Sequence, residues 1–137
     1  MIYRLGVVGY STQKFDEEDA KHLIRKAFNH FEQLYPKAEF VVVSGLTDLG
    51  IPSLAYNEAN KRGWKTIGIA CKKAKDYKLF PVDYELIVGD NWGDESETFL
   101  HHLNGLIRIG GGRQSLAETE NAKKKGLEVL EYELEVK

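Results

Sequence analysis

Short apolar runs alternate with helix-like stretches along the whole chain, and this alternation is what most restricts the folds open to it. The runs occupy residues 3–8, 40–43, 66–70, 85–88, 106–109 and 127–134. The first five are nearly continuous in apolar residues, as strands buried on both faces of a parallel sheet are. The last, LEVLEYEL, alternates apolar and polar positions and suits a strand at or near an edge.

Helical signals fill the gaps. Asp16 opens a helix with Glu17, Glu18 and Asp19 in its first turn, where the helix dipole favours anions. Ala20, Leu23, Ile24, Ala27, Phe28, Phe31 and Leu34 form one apolar stripe, and Pro36 stops the helix. A second helix is expected near Ile51-Pro52, with Leu54, Ala55 and Ala59 on its apolar face and Gly63 at its end. Residues 71–81 read as a Lys-rich loop. Asp94 and Glu97 resemble a capping box before a short helix carrying Phe99, Leu100 and Leu103. A last helix is expected over residues 115–125. Such alternation with short connections predicts an α/β fold: a Rossmann-like, doubly wound, mainly parallel sheet of about six strands with helices on both faces. The 137 residues fit a single domain.

Composition removes several function classes. A net charge of −2, with the basic residues scattered, argues against nucleic acid as a partner. Cys71 is the only cysteine, which leaves no intramolecular disulfide and no cysteine metal cluster. The apolar part of the opening MIYRLGVVGY is too short and too interrupted by glycine for a signal peptide or a membrane span. The expected setting is the cytoplasm, with no membrane partner, no metal and no required cofactor.

In a doubly wound sheet the ligand sits beyond the carboxyl ends of the strands, so the residues placed there decide function. Gly110-Gly111-Gly112 lies between the fifth strand and a helix, followed by Arg113, Gln114 and Ser115. Glycines let backbone approach a ligand closely, and a helix start offers unpaired amides to an anion. This is the expected phosphate site. Ser115 adds a hydroxyl and Arg113 a charged fork. Gly9, Ser11 and Thr12 after the first strand, and Ser44, Gly45 and Gly50 after the second, are expected to line the same rim. Asp90, with Asp94, Glu95 and Glu97, either faces sugar hydroxyls or charges a helix N-terminus. Trp92 either stacks on a base or packs. Glu118 is either a capping carboxylate or an acid/base at the ligand's sugar. Lys72, Lys73, Lys75 and Lys78 read as a solvated loop, and His22, His30, His101 and His102 have no ligand spacing.

These residues resemble the SLOG superfamily, and within it the LOG phosphoribohydrolases once called lysine decarboxylases. Their signature PGGxGTxxE lies in register over residues 110–118: Gly111, Gly112 and Glu118 match, Ser115 stands for threonine, Gly110 for proline and Gln114 for the following glycine. The resemblance implies a nucleotide as small-molecule ligand and a homodimer. It also implies that Glu118 acts on the ribosyl bond with an arginine from the helix before the fifth strand. That helix reads ESETFLHHLNG and holds no arginine, leaving Arg113 as the nearby candidate. The expectation is therefore a nucleotide-binding sensor or carrier. The alternatives are an N-glycosidic hydrolase of nucleoside monophosphates and an interaction module without a ligand.

Overall fold

The computed structural model describes residues 1–137. Its elements alternate as the pattern demands: β1 Ile2–Gly9, α1 Glu17–Leu34, β2 Glu39–Ser44, α2 Gly50–Lys61, β3 Lys65–Ala70, β4 Tyr84–Ile87, α3 Ser96–His101, β5 Gly105–Ile109, α4 Arg113–Lys124 and β6 Glu128–Tyr132. The six strands form one sheet in the order β4-β3-β2-β1-β5-β6. Every neighbouring pair is parallel. The alternating strand β6 is an edge, where one flank lacks a partner. β1 and β5 sit side by side at the centre, and the chain winds outward from them in both directions. That is the switch point of a doubly wound sheet.

The two faces are buried by different helices. Ile24, Phe28 and Phe31 of α1 and Ile51, Ala55 and Tyr56 of α2 pack on Leu5, Val7, Val42 and Ile107. Phe99, Leu100 and Leu103, from α3 and its end, join Ala122 of α4 against Val8, Val43, Ile69 and Leu106. Burying Phe28, Phe31 and Tyr56, all at most 1% exposed, removes about 2 kcal/mol of apolar exposure per side chain. The buried Tyr56 hydroxyl is satisfied between the carbonyls of Gly45 at 2.8 Å and Ile67 at 3.0 Å, which ties the β2–α2 turn to β3. No helix is long and apolar enough to cross a membrane.

Local details differ from the sequence expectations. Asp16 does cap α1, accepting from the Asp19 amide at 3.0 Å. The capping box at Asp94 and Glu97 does not form. Instead the Asp94 carboxylate accepts from the amides of Asp90 and Asn91 at 3.0 and 2.9 Å, because Gly89 at φ +78° folds the loop back over it. The Lys-rich loop contains a 3-10 turn, Lys72–Asp76. α4 begins at Arg113, two residues earlier than expected, because Gly112 is extended enough to serve as its N-cap.

Candidate functional site

Beyond the carboxyl ends of β1, β2, β3 and β5 lies a cleft of about 330 Å³. Three turns supply its rim. Gly9, Ser11 and Thr12 come from the end of β1, and Ser44 and Gly45 from the end of β2. Gly112, Arg113, Gln114, Ser115 and Glu118 come from the start of α4. Four expected residues do not line it. Asp90 points to solvent and pairs with Lys72 at 3.1 Å. Gly50, at φ +58°, holds the first two turns together, since a side chain there would press on the backbone of Tyr10 and Ser11. Gly110 and Gly111 shape the third turn from behind.

That turn needs glycine for steric reasons. Gly110 and Gly111 take φ of +60° and +106°, the left-handed region that L side chains avoid. A Cβ on Gly110 would enter the Tyr10 ring, and one on Gly111 would come within 2.6 Å of the Ser115 Cβ. Gly112 is different, for a Cβ there meets nothing within 4 Å. It is the glycine that faces open cleft. No side chain caps α4, and the first-turn amides of any helix lack intrahelical acceptors. Those amides, with the exposed Arg113 beside them, are donors suited to an anion.

Arg108 holds the turn in place. It lies in β5 yet its side chain is 6% exposed. Its guanidinium donates to the Gly110 carbonyl at 2.9 Å, to Glu131 at 3.0 Å and to Glu133 at 2.5 Å. The Gly110 amide donates in turn to the Tyr132 carbonyl at 2.9 Å. The glycine turn is thus bolted to β6 from both sides. Sequence reading passed over Arg108, although an arginine inside the apolar run LIRIG is itself a signal that a buried cation has partners.

A second feature is acidic. Glu118 is 7% and Glu95 6% exposed, and both line the cleft. Glu118 does not reach back to cap α4. Its carboxylate accepts from the Ser96 hydroxyl at 2.8 Å. The Gln114 side-chain amide donates to Glu95 at 3.0 Å and lies 3.4 Å from the Ser96 hydroxyl. Burial pushes the Glu118 carboxyl up to about 7, with the charge of Glu95 adding to it and the hydrogen bonds from Ser96 and Gln114 opposing. An acid poised near neutrality can give or accept a proton. Among the serines, Ser44 spends its hydroxyl on the Val7 carbonyl at 2.6 Å, closing the β1–β2 junction, while Ser115 makes only a long contact of 3.4 Å to the Gly9 carbonyl.

With this geometry in view, comparison with known proteins bears on the fold. No family model matches the chain, and no curated protein matches it in sequence. Solved structures do. The molybdenum cofactor binding protein from the phototrophic bacterium Rippkaea orientalis superimposes with a TM-score of 0.75, covering 97% of this chain and 77% of its own, at 21% identity. The molybdenum cofactor carrier protein from Chlamydomonas reinhardtii gives 0.74 over 96% and 76%, at 21% identity. The structural-genomics protein TM1055 gives 0.73 over 93% and 72%, at 18% identity. Likeness at such identities is one of architecture. The chain has the Rossmann-like α/β fold that its alternation of strands and helices implied.

Proposed function

We propose that the chain binds a small molecule carrying a phosphate, a nucleoside phosphate first among them, and serves as its sensor or carrier. One observation carries this reading: Gly112 and the uncapped first turn of α4 open directly onto the cleft, with Arg113 beside them. Backbone amides, a helix dipole and a guanidinium at one wall match a small oxyanion such as a phosphate. The carrier role is supported by two structures of the same fold that are described as a molybdenum cofactor carrier and a molybdenum cofactor binding protein. That cofactor, as cargo, is a ligand to test beside the nucleotides. A homodimer is part of the proposal, on the resemblance alone.

A second reading is favoured by Glu118. A buried carboxyl near pH 7 in the cleft is suited to acid/base work on an N-glycosidic bond. Against it, Arg113 is the one arginine lining the cleft, and it leaves from the glycine turn, not from α3.

Native mass spectrometry of the purified protein, followed by calorimetry with AMP and adenosine, tests the first reading. A charge-assisted phosphate contact is worth about 1.5–3 kcal/mol, so the monophosphate is expected to bind roughly ten- to a hundredfold tighter. Equal affinities for both would refute the phosphate site.

A further inference from the structure

The geometry points to Trp92 as a stacking platform for a planar heterocycle held in the same cleft as the phosphate wall. This rests on the phosphate reading and deepens it by assigning the side chain that would hold the ligand's ring. Trp92 lines the cleft yet is 47% exposed. A packing indole in this chain looks different: Trp64 lies 4.7 Å from the Phe40 ring, stacked at 28°, and 4.9 Å from Phe28. The one aromatic neighbour of Trp92 is Tyr77, 6.0 Å away at 60° and itself 51% exposed. Trp92 therefore contributes little to the core.

Its loop is nevertheless built with care. Gly89 at φ +78° and Gly93 at φ +100° bracket it. The Asp94 carboxylate gathers the amides of Asp90 and Asn91. The Lys72 amide donates to the Gly89 carbonyl at 3.0 Å, and the Lys72 ammonium pairs with Asp90. Ile69, Ala70, Ala74 and Phe99 line the same cleft with apolar surface, which favours a flat ring over a sugar. An indole offers a large π face to any heterocycle, and stacking of this kind tolerates differences between bases.

Calorimetry with AMP, GMP and ribose 5-phosphate on the wild type, Trp92→Ala and Trp92→Phe tests this. The better monophosphate is expected to bind the wild type about tenfold or more tighter than ribose 5-phosphate. Trp92→Ala should erase that preference while leaving ribose 5-phosphate binding unchanged, and Trp92→Phe should keep most of it. Undiminished monophosphate binding by Trp92→Ala, or an equal loss for ribose 5-phosphate, would overturn the stacking role and leave the phosphate wall standing. If no phosphorylated probe binds the wild type, the phosphate reading fails and this inference fails with it.

Discussion

The Ser96 hydroxyl donates a 2.8 Å hydrogen bond to the Glu118 carboxylate, joining the first residue of α3 to the second turn of α4 across the wall of the cleft. It partly offsets the cost of holding that carboxylate out of water, and it leaves Glu118 titrating near neutrality.

Stability should therefore depend on pH in a particular direction. The folded Glu118 carboxyl is raised from 4.5 to about 7, so between these values the native state holds a proton that the unfolded chain has released. Stability is full below about pH 4.5 and falls as pH rises through about 7, by up to about 3 kcal/mol. Glu118→Gln cannot ionise and should lack this component. Denaturant melts of both proteins at pH 5 and pH 8 give the comparison. Parallel pH dependence in the two would show that Glu118 is not the group responsible. Ser96→Ala should steepen the wild-type trend, since one bond to the charged form is lost.

Gly111 and Gly112 should separate fold from function. Gly111→Val forces a β-branched residue into φ +106° and against Ser115, which should cost a few kcal/mol of stability, of order 1–3. Gly112→Ala meets no atom within 4 Å and should melt within about 1 kcal/mol of wild type. Its added methyl nevertheless stands where a phosphate would approach the amides, so nucleotide-induced thermal stabilisation should fall. Retention of the full ligand shift by Gly112→Ala would move the phosphate away from this turn.

Arg108 should matter for both stability and binding. Removing it leaves the Gly110 carbonyl without its donor and Glu131 with Lys123 alone, at 2.6 Å. Loss of one member of a buried pair costs about 3–5 kcal/mol. About 2–3 kcal/mol is expected here, because Glu133 is 85% exposed and well solvated. Arg108→Lys keeps the charge but cannot fork to three acceptors. It should recover part of the stability and little of the ligand affinity. Chemical denaturation together with calorimetry distinguishes these effects, and affinity unchanged in Arg108→Lys would show that the turn holds its shape without the fork.

Catalysis has its own test. A hydrolase would release free base from a nucleoside monophosphate, and Glu118→Gln would slow that release by about 10²–10⁴ while sparing binding. A sensor or carrier would bind a monophosphate and release no base. The second outcome is expected, since no arginine reaches the cleft from α3. Chromatographic assay of adenine, guanine, cytosine and uracil decides between them, and base release abolished by Glu118→Gln would establish the enzyme.

Much of this architecture is legible in one dimension because it rests on local periodicity. Buried parallel strands read as unbroken apolar runs, an amphipathic helix repeats every 3.6 residues, and a turn that needs φ near +60° announces itself as glycine. Residues such as Val7, Val42 and Ile107, the stripe on α1, and the glycines at 110–112 carry those signals in their own neighbourhoods. So the α/β alternation, the edge position of β6 and the Gly9, Ser44 and Gly112 turns of the rim could all be found without coordinates.

The rest depends on pairs distant in sequence, and no local pattern encodes them. Strand order places β1 beside β5, and that alone sets Ser115 against Gly9. Glu95 and Glu118, 23 residues apart in the sequence, share a hydrogen-bonded chain through Ser96 and Gln114 only because α3 and α4 lie on the same face of the sheet. Arg108 looks like a misplaced charge until β6 brings Glu131 and Glu133 to it. Trp92 is an ordinary loop residue until the fold sets it at the mouth of the cleft. The sequence by itself determined the alternation of strands, helices and glycine turns, because those preferences are short-range. Which side chains meet, and which carboxylate is driven to titrate near neutrality, was decided by the tertiary structure alone, because burial and electrostatics act through space.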